Sequence, residues 1–354
     1  MKILLTNCWQ AGNTGDVAIW VNLMKHLKDA FPDAEFLISS QSILEWDCKQ
    51  LESFQPKFYE NDLITAVQDA DVVISQGGGY MIGDNMFQYL QAFDLAQSMG
   101  KPTFFNTQTM VGPISEDTKT LLRKVIDNAI VVSPREEGTY NFLKNVGVQR
   151  NLVILPDTVF DIGIKEWEFP FPNSVRFAIR GYDVDADFVK KMALVADMVS
   201  ESMGKAVFLP VGHGGNRNDI VIAKEILSNM KHEGFLIDRE LTAEELKYAL
   251  SDGILLSDRY HGIVYAVSMN TPFVAMTPDI DSKMQGLLNI FNYPIPVLDK
   301  HKSTAEEIFG HMYEVWKNRI KFHGIFETVT PGIKEKAASI YPQIIQGIKD
   351  AINK

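Results

Sequence analysis

Arg259 and His261 stand two residues apart, directly after the apolar segment Gly253–Ser257 and at the start of a helical pattern over His261–Met269. In extended backbone, residues two apart point to the same side, so we expect both side chains to face one space. An imidazole beside a cation can act as an acid or a base near neutral pH. A buried histidine paired with Asp258 is the alternative. We favour the catalytic interpretation, because arginines recur after other predicted strands.

Two of these recurring arginines are Arg135, after the predicted strand Ala129–Ser133, and Arg180, after Val175–Ile179. A guanidinium at the end of a strand is well placed to bind a carboxylate or a phosphate through two parallel hydrogen bonds. For Arg135 taken alone, an ion pair with a neighbouring glutamate is the simpler interpretation. The repetition of the pattern in both halves of the chain favours anion binding.

His213 and Lys283 are two further candidates for ligand binding. His213 lies in the glycine-rich loop Gly212–Asn216, and glycines on both sides of it indicate exposure. A turn histidine that is hydrogen bonded to backbone explains it equally well. Lys283 follows the predicted strand Pro272–Met276, and an ion pair with Asp279 at the surface is its simplest explanation.

Two glycine-rich segments, Gly12–Asp16 and Gln76–Tyr80, follow predicted strands of the first half. Glycines allow a ligand to approach the backbone closely, and the helix that follows supplies unpaired N–H groups. Neither segment has the spacing of a Walker loop or of a dinucleotide-binding fingerprint. A tight turn in which Asp16 caps the next helix is an equal alternative for the first. The residues that we assign to ligand binding here are Asn13, Gly15, Asp16, Gly77, Gly78 and Gly79.

These groups together predict a site for a small dianion or trianion, in which several cations surround at least one histidine. The sequence contains no His-x-x-x-His or Cys-x-x-Cys motif and no Gly-x-Ser-x-Gly motif. We therefore expect neither a metal centre nor a hydrolase nucleophile.

The elements that must position these residues alternate between short apolar runs and helical patterns, which is typical of parallel sheets with crossover helices. Helices are predicted over Asp16–Phe31 and Pro331–Asn353, and a capping box at Thr242 and Glu245 predicts a helix start. Strands are predicted at Lys2–Leu5, Glu35–Ser39, Ala70–Ser75, Pro102–Asn106, Ala129–Ser133, Val153–Pro156, Val175–Ile179, Ala206–Pro210, Phe235–Ile237, Gly253–Ser257 and Pro272–Met276.

A segment of prolines and aromatic residues, 165–173, interrupts this alternation and is interpreted as the connector between two domains. We predict a Rossmann-like α/β domain over residues 1–165, a second over 170–302, and C-terminal helices over 303–354 that pack back across both. In open α/β sheets, ligands bind beyond the carboxyl ends of the strands. A cleft faced by the two domains is the expected site.

Length and composition limit the possible partners. The chain has 354 residues and a formal net charge of -11, and no run of lysines and arginines. Nucleic-acid binding normally requires a basic face, so we expect no such partner. No apolar stretch reaches the length of about 20 residues that a membrane span needs, and the two cysteines fit a reducing compartment. We expect a cytoplasmic protein without a transmembrane segment, which leaves peripheral membrane association open.

In their order along the chain, these pieces resemble the polysaccharide pyruvyl transferase family over roughly residues 1–300. The segments that carry the resemblance are Gly12–Asp16, Val73–Gly79, Gly100–Pro102, Gln108–Pro113, Arg135–Thr139, Arg180, Leu209–His213, Arg259–Ala266 and Pro272–Lys283.

The resemblance implies a GT-B-like architecture and an enzyme that transfers the pyruvyl group of phosphoenolpyruvate onto sugar hydroxyls as a ketal, in cell-surface polysaccharide biosynthesis. It implies roles for Arg135, His261 and Lys283 in phosphoenolpyruvate binding and catalysis, with Arg259 in the motif of His261. The implied partners are phosphoenolpyruvate, as a co-substrate rather than a cofactor, and a sugar acceptor carried on a nucleotide or a lipid.

Two other functions remain open on the same fold. One is a glycosyltransferase that uses a nucleotide sugar, with the nucleotide bound around Gly212–Asn216 and the Arg259 loop. The other is a protein that binds a glycan or an anion without catalysis. Retention of Arg135, Arg259 and His261 argues against the second, because binding alone does not need a titrating group.

Overall fold

The computed structural model describes residues 1–8, 12–40, 45–214, 218–278 and 282–353. The chain divides into two compact units. The first unit consists of Met1–Gly12, Asp16–Asp161 and Glu335–Lys354, and the second consists of Asn13–Gly15 and Ile162–Lys334. Each unit is built around its own parallel β-sheet, which confirms the predicted α/β class with two sheets.

Among the described residues, ten strands lie where the sequence predicts them, whereas those at Lys57–Glu60, Gly78–Ile82 and Leu298–Asp299 were not predicted. The strands are β1 (Lys2–Cys8), β2 (Glu35–Ser40), β3 (Lys57–Glu60), β4 (Val72–Ser75), β5 (Gly78–Ile82), β6 (Thr103–Val111), β7 (Val131–Pro134), β8 (Val175–Ala178), β9 (Ala206–Phe208), β10 (Gly234–Leu236), β11 (Ile254–Ser257), β12 (Phe273–Thr277) and β13 (Leu298–Asp299).

Helices occupy most of the connections between strands. They are α1 (Thr14–Ala30), α2 (Glu45–Leu51), α3 (Leu63–Asp69), α4 (Met86–Ser98), α5 (Glu116–Asn128), α6 (Glu137–Asn145), α7 (Ala186–Ser202), α8 (Asp219–Asn229), α9 (Ala243–Ala249), α10 (Tyr260–Ser268), α11 (Ser282–Phe291), α12 (Ala305–Lys317), α13 (Arg319–Ala338) and α14 (Ile340–Ile352). The predicted capping box is confirmed at the start of α9, where Thr242 and Glu245 each bond to the other's backbone N–H.

The first sheet has the strand order β3-β2-β1-β4-β6-β5, with β7 also paired to β6. Ile3–Leu5 of β1 and Val72–Ile74 of β4 are completely buried. Continuous apolar runs of this kind form strands that are covered by helices on both faces. The apolar character of these runs explains why the sequence predicted them.

The strand that carries the three glycines continues past them instead of ending there. Ser75 of β4 pairs with Phe105 and Gly78 of β5 pairs with Gln108, so both strands lie along the same side of β6. Gly77, between them, has a φ of 103°, a region that side chains other than glycine rarely adopt. The glycines therefore interrupt one long strand at its middle, and α4 begins only after β5.

The second sheet has the strand order β10-β9-β8-β11-β12-β13, with every neighbouring pair parallel. The predicted connector 165–173 packs on this unit: Trp167 donates its indole N–H to the carbonyl of Glu245, and the fully buried Arg176 stacks near Phe169. The boundary between the units accordingly falls at Asp161 and Ile162, before the connector.

The C-terminal helices, predicted as one segment over 303–354, divide between the units: α12 and α13 as far as Lys334 group with the second, and α14 with the first. Tyr341 of α14 stacks on His26, with ring centroids 3.9 Å apart, and its hydroxyl lies 2.7 Å from Nδ2 of Asn22. Gly347 lets α14 approach Phe104 of β6, because a β-carbon there would lie 2.8 Å from that ring.

Two sequence predictions of secondary structure are wrong. Val153–Pro156 forms no strand: the Leu155 amide donates to the carbonyl of Pro134, but Pro156 has no N–H with which to continue a ladder. The single helix predicted over Pro331–Asn353 is two helices, since α13 runs through Pro331 and ends at Ala338, before Ile340 opens α14.

The interrupted strand gives a test of the fold. We expect Gly77→Ala to destabilise the protein by about 2–3 kcal/mol, because it combines a positive φ with a β-carbon 2.9 Å from the Asn106 carbonyl. Gly100→Ala is the matched control: Gly100 has a φ of 73°, but no atom lies within 4 Å of the added carbon. It should cost about 1 kcal/mol, from the backbone alone. Equal losses in urea unfolding would contradict the steric part of this explanation.

Candidate functional site

The strand order of the second sheet reverses at β8. The strands β9 and β10 follow on one side of it, and β11, β12 and β13 follow on the other. In open α/β sheets, ligands bind beyond the carboxyl ends of the strands at such a switch point. Arg180 lies two residues after β8, and Arg259 lies two residues after β11. The fold therefore places these two arginines where a ligand is expected.

Asp219, the first residue of α8, holds Arg259 in a buried ion pair. Nε of Arg259 donates to Oδ2 of Asp219 over 3.0 Å, and Nη2 donates to Oδ1. The same carboxylate accepts the backbone N–H groups of Gly181, Val211 and Gly212 over 2.8–3.0 Å. One carboxylate thus fixes the loops that follow β8, β9 and β11.

Charge compensation keeps Arg259 ionised. Burial opposes the charged guanidinium, but Asp219, together with Asp258 and Tyr182, outweighs this effect and raises the pKa of Arg259. The ring of Tyr182 lies 5.5 Å from the guanidinium carbon of Arg259 and 4.7 Å from that of Arg180, so it stacks near both cations.

A second buried carboxylate, that of Asp258, forms ion pairs with two cations. Its Oδ1 accepts the backbone N–H of Arg180 over 2.8 Å, and its Oδ2 lies 3.3 Å from Nε of Arg180 and 3.2 Å from Nζ of Lys300. Lys300 follows β13 directly and is completely buried. Asp258 is therefore occupied by Arg180 and Lys300, which makes the second unit's cluster richer in cations than the sequence indicated.

His261 lies in the first turn of α10, next to Arg259, and is 8% exposed. Its ring packs against Gly15, where an added β-carbon would lie 2.0 Å from Cγ of the imidazole. Gly15 is held in place by Asn13, whose Oδ1 accepts the Gly15 N–H over 3.1 Å. Asn13, and not Asp16, thus stands before α1, because the helix begins at Thr14 and Asp16 lies within its first turn.

His213 belongs to the same group of loops. Its Nε2 lies 3.3 Å from the hydroxyl oxygen of Thr14, which also donates to the carbonyl of Val211 over 2.8 Å. Burial and, to a lesser degree, the charge of Arg259 lower the pKa of His213 to about 4, against a hydrogen bond with Leu241 that raises it. His213 is therefore neutral at pH 7 and suits hydrogen bonding rather than charge neutralisation.

Arg135 lies in the first unit, directly after β7, and is 4% exposed. Its Nη1 donates to Asp157 over 2.7 Å and its Nε to Glu136 over 3.3 Å. The ion pair with a neighbouring glutamate that the sequence left open is present, and Asp157 is an additional partner. Glu136 is also bonded to the hydroxyls of Thr109 and Thr139. A role for Arg135 in anion binding stays a prediction.

The glycine segment of the first unit is surrounded by uncharged polar groups. Asn106 donates from Nδ2 to the Gln76 carbonyl over 2.7 Å, and Gln108 donates from Nε2 to the Gly78 carbonyl over 2.6 Å. A β-carbon at Gly78 would lie 3.8 Å from Oδ1 of Asp16, so these two predicted residues are neighbours. Gly79 continues β5.

The structure therefore brings Asn13, Gly15, Arg180, His213, Arg259 and His261 together in the second unit, while Arg135, Asp16, Gly77, Gly78 and Gly79 belong to the first. Lys283 is the second residue of α11 and is half-buried. Asp279, its expected partner, and Gly215 and Asn216 of the glycine-rich loop lie outside the described residues.

Sequence reasoning missed Asp219 and Lys300. Asp219 is a helix-initiating residue in a polar stretch, and Lys300 follows a two-residue strand. An aspartate at a helix start after a glycine-rich loop was the available signal for Asp219, whereas Lys300 sits among Asp299, His301 and Lys302 and looks like a surface residue.

Within the described part of the chain, no group of three or more His, Cys, Asp or Glu side chains is arranged to hold a metal ion. Over the same residues, the helices are all too short or too polar to cross a membrane.

A family model for polysaccharide pyruvyl transferase matches residues 13–280. The match begins at Asn13 and includes Arg135, Arg180, Arg259 and His261. No curated protein matches the chain by sequence.

Solved structures share the fold over nearly the whole chain. The MnaA–UDP complex from S. aureus has a TM-score of 0.71 at 14% identity and covers 99% of this chain and 97% of that one. The UDP-GlcNAc 2-epimerase from Neisseria meningitidis bound to UDP-GlcNAc has a TM-score of 0.66 at 15% identity, over 98% and 100%. TcCGT1 in complex with UDP has a TM-score of 0.64 at 12% identity, over 99% of each chain. The chain thus has the GT-B fold of glycosyltransferases and epimerases.

Asp219→Asn tests the buried ion pair. We expect the free energy of unfolding to fall by about 3–5 kcal/mol, because the guanidinium of Arg259 is left buried without its counter-charge. Asp183→Asn is the matched control, since Asp183 is 54% exposed and lies 3.5 Å from Arg180. It should change stability by no more than about 1 kcal/mol. Similar losses for both variants in urea unfolding would contradict the central role of Asp219.

His213 predicts a specific loss of stability in acid. The unfolded chain binds a proton at this histidine near pH 6.5, but the folded protein binds it only near pH 4, so acidification stabilises the unfolded state. Between pH 7 and pH 4, wild type should lose about 3 kcal/mol more than His213→Gln. Urea unfolding at several pH values measures this. His323→Gln, at an exposed histidine, should follow wild type.

Proposed function

The chain belongs to the polysaccharide pyruvyl transferase family, and we propose that it transfers the pyruvyl group of phosphoenolpyruvate onto two hydroxyls of a sugar to form a ketal. The observation that carries this proposal is His261 packed on Gly15 beside the Asp219–Arg259 pair, at the switch point of the second sheet. This arrangement holds the imidazole that we assign as the acid next to cations, at a place where ligands bind in such sheets.

Phosphoenolpyruvate carries a carboxylate and a phosphate at opposite ends, and both are anions that guanidinium groups bind well. The second unit holds three cations, Arg180, Arg259 and Lys300, around two buried carboxylates, Asp219 and Asp258. An anion that enters this cluster supplies negative charge where cations exceed the buried carboxylates. Arg180, with 15% of its side chain exposed, is the cation that a ligand reaches first.

The reaction needs one proton donated to carbon and two protons removed from hydroxyls. An acid protonates the methylene carbon of phosphoenolpyruvate, and the first sugar hydroxyl adds to C2 and loses its proton. The C2–O bond to phosphate then breaks, and the second hydroxyl closes the ketal as hydrogen phosphate leaves. We assign the proton transfer to His261, which general acid–base catalysis requires close to the reacting atoms.

Arg259 contributes fixed charge in this proposal. Its Nε–Nη2 edge is held by Asp219, so the guanidinium does not have to reorient during the reaction. A preorganised cation near the leaving phosphate stabilises the transition state by about 2–4 kcal/mol, by analogy with oxyanion donors. Gly15 contributes by leaving room for the imidazole and for no larger neighbour.

The acceptor in our proposal is a sugar carried on a nucleotide or a lipid, in the biosynthesis of a cell-surface polysaccharide. The fold is shared with proteins solved with UDP and UDP-GlcNAc. That similarity also favours a second candidate function, a glycosyltransferase that uses a nucleotide sugar. The two differ in their donor, since only the first releases phosphate from phosphoenolpyruvate.

Phosphate release from phosphoenolpyruvate, measured against a panel of nucleotide- and lipid-linked sugars with product masses, tests the proposal. His261→Ala should reduce turnover by about 10²-fold or more, the usual contribution of a general acid. His261→Gln should be nearly as inactive, because glutamine keeps a hydrogen bond but exchanges no proton.

His323→Ala, at an exposed histidine of α13, is the control and should keep full activity. Near-wild-type turnover in His261→Gln would reduce His261 to a binding residue. Glycosyl transfer from a UDP sugar without any use of phosphoenolpyruvate would establish the alternative.

A further inference from the structure

Lys300 is a completely buried lysine at the switch point of the second sheet. Its ammonium lies 3.2 Å from Oδ2 of Asp258 and 4.9 Å from the ring centre of Phe188. Burial lowers the pKa of Lys300 and Asp258 opposes that shift. Lys300 therefore depends on Asp258 for its charge.

The backbone around Lys300 is anchored by a second lysine. Lys191 of α7 donates from Nζ to the carbonyls of Lys300, His301 and Ser303 over 2.6–3.3 Å. The segment that carries Lys300 is thereby tied to the helix that also carries Phe188. Such anchoring holds the buried ammonium in one place.

Asp258 is shared between Lys300 and Arg180. Burial raises the pKa of Asp258, and both cations oppose the rise. The two cations and the backbone N–H around the carboxylate favour its charged form against the effect of burial. It compensates a single positive charge, and Lys300, which water cannot reach, has first claim on it.

The other carboxylate near Arg180 is a weaker partner. Asp183 lies 3.5 Å from Nη2 of Arg180 and is half exposed, and it also lies 3.6 Å from His301. Water screens such a pair, so it contributes little. An incoming anion can replace Asp183 at Arg180 without leaving a buried charge alone.

We infer that Lys300 is a positioning residue that takes up the charge of Asp258, so that Arg180 keeps its positive charge for the anionic substrate. Without Lys300, Asp258 would be neutralised by Arg180 alone, and the guanidinium would be both held and compensated from within. The inference rests on the proposed function, in that Arg180 is taken to contact the bound anion.

Calorimetric binding of phosphoenolpyruvate, and separately of inorganic phosphate, tests this inference on the full chain. Lys300→Met should weaken binding about tenfold, the order expected for one uncompensated charge a few ångströms away. Asp258→Asn/Lys300→Met removes both charges, keeps an acceptor for the Arg180 N–H, and should bind within about threefold of wild type. This double variant buries no unpaired charge, and it provides the reading if Lys300→Met alone does not fold.

The inference requires that Lys300 affects anion binding only through Arg180. Arg180→Met should weaken binding by itself, and adding Lys300→Met to it should weaken binding no further. A merely structural Lys300 would instead weaken binding in both backgrounds, and the Asp258→Asn/Lys300→Met variant would then recover nothing. Either of these results, or wild-type affinity in a folded Lys300→Met, would overturn the inference.

The two probes separate this inference from the proposed function. If wild type binds inorganic phosphate but not phosphoenolpyruvate, the proposed donor is wrong. The affinities of the same variants for inorganic phosphate then still test the role of Lys300. If wild type binds phosphoenolpyruvate and the Lys300 variants all bind it equally, the donor stands and the role of Lys300 is rejected.

Discussion

The carboxylate of Asp219 is the interaction on which the site in the second unit depends. It accepts three backbone N–H groups from the loops after β8 and β9, and it ion-pairs with Arg259 after β11. These loops have no regular hydrogen bonding of their own at this point, so the carboxylate replaces it. Because the charge is buried, each of these partners is also a condition for its stability. The position of Arg259, and through the adjacent turn that of His261, follows from one residue of α8.

Sequence reasoning found most of the strands, including β8 and β11 and the residues at their ends, but it missed β3, β5 and β13 and the groups that hold those residues. The apolar residues of β4 and β11 are continuous and buried, and such runs are visible in a sequence. Arg180, Arg259 and His261 could be identified because they follow predicted strands directly. Asp219 and Lys300 could not, because Asp219 acts on Arg259 across 40 residues and Lys300 acts on Asp258 across 42, and no local pattern records contacts over such separations.

Results

Sequence analysis

Arg259 and His261 stand two residues apart, directly after the apolar segment Gly253–Ser257 and at the start of a helical pattern over His261–Met269. In extended backbone, residues two apart point to the same side, so we expect both side chains to face one space. An imidazole beside a cation can act as an acid or a base near neutral pH. A buried histidine paired with Asp258 is the alternative. We favour the catalytic interpretation, because arginines recur after other predicted strands.

Two of these recurring arginines are Arg135, after the predicted strand Ala129–Ser133, and Arg180, after Val175–Ile179. A guanidinium at the end of a strand is well placed to bind a carboxylate or a phosphate through two parallel hydrogen bonds. For Arg135 taken alone, an ion pair with a neighbouring glutamate is the simpler interpretation. The repetition of the pattern in both halves of the chain favours anion binding.

His213 and Lys283 are two further candidates for ligand binding. His213 lies in the glycine-rich loop Gly212–Asn216, and glycines on both sides of it indicate exposure. A turn histidine that is hydrogen bonded to backbone explains it equally well. Lys283 follows the predicted strand Pro272–Met276, and an ion pair with Asp279 at the surface is its simplest explanation.

Two glycine-rich segments, Gly12–Asp16 and Gln76–Tyr80, follow predicted strands of the first half. Glycines allow a ligand to approach the backbone closely, and the helix that follows supplies unpaired N–H groups. Neither segment has the spacing of a Walker loop or of a dinucleotide-binding fingerprint. A tight turn in which Asp16 caps the next helix is an equal alternative for the first. The residues that we assign to ligand binding here are Asn13, Gly15, Asp16, Gly77, Gly78 and Gly79.

These groups together predict a site for a small dianion or trianion, in which several cations surround at least one histidine. The sequence contains no His-x-x-x-His or Cys-x-x-Cys motif and no Gly-x-Ser-x-Gly motif. We therefore expect neither a metal centre nor a hydrolase nucleophile.

The elements that must position these residues alternate between short apolar runs and helical patterns, which is typical of parallel sheets with crossover helices. Helices are predicted over Asp16–Phe31 and Pro331–Asn353, and a capping box at Thr242 and Glu245 predicts a helix start. Strands are predicted at Lys2–Leu5, Glu35–Ser39, Ala70–Ser75, Pro102–Asn106, Ala129–Ser133, Val153–Pro156, Val175–Ile179, Ala206–Pro210, Phe235–Ile237, Gly253–Ser257 and Pro272–Met276.

A segment of prolines and aromatic residues, 165–173, interrupts this alternation and is interpreted as the connector between two domains. We predict a Rossmann-like α/β domain over residues 1–165, a second over 170–302, and C-terminal helices over 303–354 that pack back across both. In open α/β sheets, ligands bind beyond the carboxyl ends of the strands. A cleft faced by the two domains is the expected site.

Length and composition limit the partners. The chain has 354 residues, a formal net charge of -11 and no run of lysines and arginines. Nucleic-acid binding normally requires a basic face, so we expect no such partner. No apolar stretch reaches the length of about 20 residues that a membrane span needs, and the two cysteines fit a reducing compartment. We expect a cytoplasmic protein without a transmembrane segment, which leaves peripheral membrane association open.

In their order along the chain, these pieces resemble the polysaccharide pyruvyl transferase family over roughly residues 1–300. The segments that carry the resemblance are Gly12–Asp16, Val73–Gly79, Gly100–Pro102, Gln108–Pro113, Arg135–Thr139, Arg180, Leu209–His213, Arg259–Ala266 and Pro272–Lys283.

The resemblance implies a GT-B-like architecture and an enzyme that transfers the pyruvyl group of phosphoenolpyruvate onto sugar hydroxyls as a ketal, in cell-surface polysaccharide biosynthesis. It implies roles for Arg135, His261 and Lys283 in phosphoenolpyruvate binding and catalysis, with Arg259 in the motif of His261. The implied partners are phosphoenolpyruvate, as a co-substrate rather than a cofactor, and a sugar acceptor carried on a nucleotide or a lipid.

Two other functions remain open on the same fold. One is a glycosyltransferase that uses a nucleotide sugar, with the nucleotide bound around Gly212–Asn216 and the Arg259 loop. The other is a protein that binds a glycan or an anion without catalysis. Retention of Arg135, Arg259 and His261 argues against the second, because binding alone does not need a titrating group.

Overall fold

The computed structural model describes residues 1–8, 12–40, 45–214, 218–278 and 282–353. The chain divides into two compact units. The first unit consists of Met1–Gly12, Asp16–Asp161 and Glu335–Lys354, and the second consists of Asn13–Gly15 and Ile162–Lys334. Each unit is built around its own parallel β-sheet, which confirms the predicted α/β class with two sheets.

Among the described residues, ten strands lie where the sequence predicts them, whereas those at Lys57–Glu60, Gly78–Ile82 and Leu298–Asp299 were not predicted. The strands are β1 (Lys2–Cys8), β2 (Glu35–Ser40), β3 (Lys57–Glu60), β4 (Val72–Ser75), β5 (Gly78–Ile82), β6 (Thr103–Val111), β7 (Val131–Pro134), β8 (Val175–Ala178), β9 (Ala206–Phe208), β10 (Gly234–Leu236), β11 (Ile254–Ser257), β12 (Phe273–Thr277) and β13 (Leu298–Asp299).

Helices occupy most of the connections between strands. They are α1 (Thr14–Ala30), α2 (Glu45–Leu51), α3 (Leu63–Asp69), α4 (Met86–Ser98), α5 (Glu116–Asn128), α6 (Glu137–Asn145), α7 (Ala186–Ser202), α8 (Asp219–Asn229), α9 (Ala243–Ala249), α10 (Tyr260–Ser268), α11 (Ser282–Phe291), α12 (Ala305–Lys317), α13 (Arg319–Ala338) and α14 (Ile340–Ile352). The predicted capping box is confirmed at the start of α9, where the side chains of Thr242 and Glu245 each accept the other residue's backbone N–H.

The first sheet has the strand order β3-β2-β1-β4-β6-β5, with β7 also paired to β6. Ile3–Leu5 of β1 and Val72–Ile74 of β4 are completely buried. Continuous apolar runs of this kind form strands that are covered on both faces. The apolar character of these runs explains why the sequence predicts them.

The strand that carries the three glycines continues past them instead of ending there. Ser75 of β4 pairs with Phe105 and Gly78 of β5 pairs with Gln108, so both strands pair with β6, and the register shifts between Gly78 and Met81. Gly77, between them, has a φ of 103°, a conformation that residues other than glycine rarely adopt. The glycines therefore interrupt one long strand at its middle, and α4 begins only after β5.

The second sheet has the strand order β10-β9-β8-β11-β12-β13, and its neighbouring strands are parallel. The predicted connector 165–173 packs on this unit. Trp167 donates its indole N–H to the carbonyl of Glu245, and the fully buried Arg176 lies over the ring of Phe169. The boundary between the units accordingly falls between Asp161 and Ile162, before the connector.

The C-terminal helices, predicted as one segment over 303–354, divide between the units. The second unit includes α12 and α13 as far as Lys334, and the first includes α14. Tyr341 of α14 stacks on His26, with ring centroids 3.9 Å apart, and its hydroxyl accepts a hydrogen bond of 2.7 Å from Nδ2 of Asn22. Gly347 lets α14 approach Phe104 of β6, because a β-carbon there would lie 2.8 Å from that ring.

Two sequence predictions of secondary structure are wrong. Val153–Pro156 forms no strand: the Leu155 amide donates to the carbonyl of Pro134, but Pro156 has no N–H with which to continue a ladder. The single helix predicted over Pro331–Asn353 is two helices, since α13 runs through Pro331 and ends at Ala338, before α14 begins.

The interrupted strand gives a test of the fold. We expect Gly77→Ala to destabilise the protein by about 2–3 kcal/mol, because it combines a positive φ with a β-carbon 2.9 Å from the Asn106 carbonyl. Gly100→Ala is the matched control: Gly100 has a φ of 73°, but no atom lies within 4 Å of the added carbon. It should cost about 1 kcal/mol, from the backbone alone. Equal losses in urea unfolding would contradict the steric part of this explanation.

Candidate functional site

The strand order of the second sheet reverses at β8. The strands β9 and β10 follow on one side of it, and β11, β12 and β13 follow on the other. In open α/β sheets, ligands bind beyond the carboxyl ends of the strands at such a switch point. Arg180 comes two residues after β8, and Arg259 comes two residues after β11. The fold therefore places these two arginines where a ligand is expected.

Asp219, the first residue of α8, holds Arg259 in a buried ion pair. Nε of Arg259 donates to Oδ2 of Asp219 over 3.0 Å, and Nη2 donates to Oδ1. The same carboxylate accepts the backbone N–H groups of Gly181, Val211 and Gly212 over 2.8–3.0 Å. One carboxylate thus fixes the loops that follow β8, β9 and β11.

Charge compensation keeps Arg259 ionised. Burial opposes the charged guanidinium, but Asp219, together with Asp258 and Tyr182, outweighs this effect and raises the pKa of Arg259. The ring centre of Tyr182 lies 5.5 Å from the guanidinium carbon of Arg259 and 4.7 Å from that of Arg180. An aromatic ring between two guanidinium groups favours both cations electrostatically.

A second buried carboxylate, that of Asp258, forms ion pairs with two cations. Its Oδ1 accepts the backbone N–H of Arg180 over 2.8 Å, and its Oδ2 lies 3.3 Å from Nε of Arg180 and 3.2 Å from Nζ of Lys300. Lys300 follows β13 directly and is completely buried. Asp258 is therefore engaged by Arg180 and Lys300, which adds to the second unit a cation that the sequence did not indicate.

His261 lies in the first turn of α10, two residues after Arg259, and is 8% exposed. Its ring packs against Gly15, where an added β-carbon would lie 2.0 Å from Cγ of the imidazole. Gly15 is held in place by Asn13, whose Oδ1 accepts the Gly15 N–H over 3.1 Å. Asn13, and not Asp16, thus stands before α1, because the helix begins at Thr14 and Asp16 lies within its first turn.

His213 belongs to the same group of loops. Its Nε2 lies 3.3 Å from the hydroxyl oxygen of Thr14, which also donates to the carbonyl of Val211 over 2.8 Å. Burial and, to a lesser degree, the charge of Arg259 lower the pKa of His213 to about 4, against a hydrogen bond with Leu241 that raises it. His213 is therefore neutral at pH 7 and suits hydrogen bonding rather than charge neutralisation.

Arg135 lies in the first unit, directly after β7, and is 4% exposed. Its Nη1 donates to Asp157 over 2.7 Å and its Nε donates to Glu136 over 3.3 Å. The ion pair with a neighbouring glutamate, which the sequence left open, is present, and Asp157 is an additional partner. A role for Arg135 in anion binding stays a prediction.

The glycine segment of the first unit is surrounded by uncharged polar groups. Asn106 donates from Nδ2 to the Gln76 carbonyl over 2.7 Å, and Gln108 donates from Nε2 to the Gly78 carbonyl over 2.6 Å. A β-carbon at Gly78 would lie 3.8 Å from Oδ1 of Asp16, so these two predicted residues are neighbours.

The structure distributes the predicted site residues over both units. Lys283 is the second residue of α11 and is half-buried. Asp279, its expected partner, and Gly215 and Asn216 of the glycine-rich loop lie outside the described residues. The second unit holds Asn13, Gly15, Arg180, His213, Arg259, His261 and Lys283, and the first holds Asp16, Gly77, Gly78, Gly79 and Arg135.

Sequence reasoning missed Asp219 and Lys300. An aspartate at a helix start, shortly after a glycine-rich loop, was the available signal for Asp219. Lys300 follows a strand of only two residues and is flanked by other charged or polar residues, so it looks like a surface lysine in the sequence.

Within the described part of the chain, no group of three or more His, Cys, Asp or Glu side chains is arranged to hold a metal ion. Over the same residues, every helix is too short or too polar to cross a membrane.

A family model for polysaccharide pyruvyl transferase matches residues 13–280. The matched range begins at Asn13 and includes Arg135, Arg180, Arg259 and His261. No curated protein matches the chain by sequence.

Solved structures share the fold over nearly the whole chain. The MnaA–UDP complex from S. aureus has a TM-score of 0.71 at 14% identity and covers 99% of this chain and 97% of that one. The UDP-GlcNAc 2-epimerase from Neisseria meningitidis bound to UDP-GlcNAc has a TM-score of 0.66 at 15% identity, over 98% and 100%. TcCGT1 in complex with UDP has a TM-score of 0.64 at 12% identity, over 99% of each chain. The chain thus has the GT-B fold of glycosyltransferases and epimerases.

Asp219→Asn tests the buried ion pair. We expect the free energy of unfolding to fall by about 3–5 kcal/mol, because the guanidinium of Arg259 is left buried without its counter-charge. Asp183→Asn is the matched control, since Asp183 is 54% exposed and lies 3.5 Å from Arg180. It should change stability by no more than about 1 kcal/mol. Similar losses for both variants in urea unfolding would rule out the central role of Asp219.

His213 predicts a specific loss of stability in acid. The unfolded chain binds a proton at this histidine near pH 6.5, but the folded protein binds it only near pH 4, so acidification stabilises the unfolded state. On going from neutral pH down to the folded-state pKa, wild type should lose about 3 kcal/mol more than His213→Gln. Urea unfolding at several pH values measures this difference. His323→Gln, at an exposed histidine, should follow wild type, and the explanation is rejected if His213→Gln does so too.

Proposed function

The chain belongs to the polysaccharide pyruvyl transferase family, and we propose that it transfers the pyruvyl group of phosphoenolpyruvate onto two hydroxyls of a sugar to form a ketal. The observation that carries this proposal is His261 packed on Gly15 beside the Asp219–Arg259 pair, at the switch point of the second sheet. This arrangement holds the imidazole that we assign as the acid next to cations, at a place where ligands bind in such sheets.

Phosphoenolpyruvate carries a carboxylate and a phosphate at opposite ends, and guanidinium groups bind both kinds of anion well. In the second unit, Arg180, Arg259 and Lys300 surround the buried carboxylates of Asp219 and Asp258. This cluster has three cations and two buried carboxylates, so an anion that enters it can pair with the remaining positive charge. Arg180 has 15% of its side chain exposed, more than Arg259 or Lys300, so we assign the first contact with the ligand to it.

The reaction needs one proton donated to carbon and two protons removed from hydroxyls. An acid protonates the methylene carbon of phosphoenolpyruvate, and the first sugar hydroxyl adds to C2 and loses its proton. The C2–O bond to phosphate then breaks, and the second hydroxyl closes the ketal as hydrogen phosphate leaves. We assign the proton transfer to carbon to His261, since a general acid must lie close to the reacting atoms.

Arg259 contributes fixed charge in this proposal. Its Nε–Nη2 edge is held by Asp219, so the guanidinium does not have to reorient during the reaction. A preorganised cation near the leaving phosphate stabilises the transition state by about 2–4 kcal/mol, by analogy with oxyanion donors. Gly15 contributes by leaving room for the imidazole, which any side chain at that position would displace.

The acceptor in our proposal is a sugar carried on a nucleotide or a lipid, in the biosynthesis of a cell-surface polysaccharide. Proteins solved with UDP and UDP-GlcNAc share the fold, which supports an acceptor of the nucleotide-linked kind. The same similarity favours a second candidate function, a glycosyltransferase that uses a nucleotide sugar. The two functions differ in their donor, since only the first releases phosphate from phosphoenolpyruvate.

Phosphate release from phosphoenolpyruvate, measured against a panel of nucleotide- and lipid-linked sugars with product masses, tests the proposal. His261→Ala should reduce turnover by about 10²-fold or more, the usual contribution of a general acid. His261→Gln should be nearly as inactive, because glutamine keeps a hydrogen bond but exchanges no proton.

His323→Ala, at an exposed histidine of α13, is the control for this experiment and should keep full activity. Near-wild-type turnover in His261→Gln would reduce His261 to a binding residue. Glycosyl transfer from a UDP sugar without any use of phosphoenolpyruvate would establish the alternative function.

A further inference from the structure

Lys300 is a completely buried lysine beside the switch point of the second sheet. Its ammonium lies 3.2 Å from Oδ2 of Asp258 and 4.9 Å from the ring centre of Phe188. Burial lowers the pKa of Lys300, and Asp258 opposes that shift. Lys300 therefore depends on Asp258 for its charge.

The backbone around Lys300 is anchored by a second lysine. Lys191 of α7 donates from Nζ to the carbonyls of Lys300, His301 and Ser303 over 2.6–3.3 Å. The segment that carries Lys300 is thereby tied to the helix that also carries Phe188. This anchoring holds the buried ammonium in one place.

Asp258 is shared between Lys300 and Arg180. Burial raises the pKa of Asp258, and both cations oppose the rise. The two cations and the backbone N–H around the carboxylate favour its charged form against the effect of burial. It compensates a single positive charge, and Lys300 needs that compensation more than Arg180 does, because water does not reach the ammonium.

The other carboxylate near Arg180 is a weaker partner. Asp183 lies 3.5 Å from Nη2 of Arg180 and 3.6 Å from the imidazole of His301, and it is half exposed. Water screens such a pair, so it contributes little to stability. An incoming anion can replace Asp183 at Arg180 without leaving a buried charge alone.

We infer that Lys300 is a positioning residue that neutralises Asp258, so that Arg180 keeps its positive charge for the anionic substrate. Without Lys300, Asp258 would pair with Arg180 alone, and the guanidinium would be compensated from within the protein. The inference rests on the proposed function, in that Arg180 is taken to contact the bound anion.

Calorimetric binding of phosphoenolpyruvate, and separately of inorganic phosphate, tests this inference on the full chain. Lys300→Met should weaken binding about tenfold, the order expected for one uncompensated charge a few ångströms away. Asp258→Asn/Lys300→Met removes both charges, keeps an acceptor for the Arg180 N–H, and should bind within about threefold of wild type. This double variant buries no unpaired charge. If Lys300→Met alone does not fold, the affinity of the double variant relative to wild type tests the role of Lys300.

The inference requires that Lys300 affects anion binding only through Arg180. Arg180→Met should weaken binding by itself, and adding Lys300→Met to it should weaken binding no further. A merely structural Lys300 would instead weaken binding in both backgrounds, and Asp258→Asn/Lys300→Met would then recover nothing. Either of these results, or wild-type affinity in a folded Lys300→Met, would overturn the inference.

The two probes separate this inference from the proposed function. If wild type binds inorganic phosphate but not phosphoenolpyruvate, the proposed donor is wrong. The affinities of the same variants for inorganic phosphate then still test the role of Lys300. If wild type and the Lys300 variants all bind phosphoenolpyruvate equally, the donor stands and the role of Lys300 is rejected.

Discussion

The carboxylate of Asp219 is the interaction on which the site in the second unit depends. It accepts three backbone N–H groups from the loops after β8 and β9, and it forms an ion pair with Arg259 after β11. Backbone N–H groups beyond the end of a strand need another acceptor, and here the carboxylate supplies it. Because the charge is buried, it is stable only while these partners surround it. The position of Arg259, and through the adjacent turn that of His261, follows from one residue of α8.

Sequence reasoning found most of the strands, including β8 and β11 and the residues at their ends, but it missed β3, β5 and β13 and the groups that hold those residues. The apolar runs of β4 and β11 are buried, as is β8, in which Arg176 is the one charged residue, and such runs are visible in a sequence. Arg180, Arg259 and His261 could be identified because they follow those runs directly. Asp219 acts on Arg259 across 40 residues and Lys300 acts on Asp258 across 42, and no local pattern records contacts over such separations. The sequence placed the boundary between the units at the connector 165–173, whereas the structure places it between Asp161 and Ile162. The connector looks extended in the sequence, but it packs on the second unit through contacts such as that of Trp167 with Glu245.

Glycine has a different physical role in each of the two segments that the sequence singled out. Gly15 leaves space that the imidazole of His261 occupies, whereas Gly77 supplies a positive φ in the middle of a strand. Neither requirement involves a ligand, although both segments lie beyond buried strands where ligands bind. A sequence shows that a side chain is missing, but it does not show whether protein or ligand fills the space. Gly15 is informative for catalysis because the group that fills its space is the candidate acid.

The distribution of charge limits how the proposed site can bind an anion. The chain carries a formal net charge of -11, which repels an anion at long range. Salt screens that repulsion beyond about 8–10 Å, which leaves recognition to contacts within the site. There, Asp219 and Asp258 are each bound to cations, and the charge left for a ligand is the excess of cations over these carboxylates. A ligand of low charge would gain little from such an excess, whereas a phosphate that also bears a carboxylate can use it at both ends. In the proposed function, Asp219 and Asp258 therefore contribute to selectivity, because they decide how much positive charge remains for the ligand and on which side chain it lies.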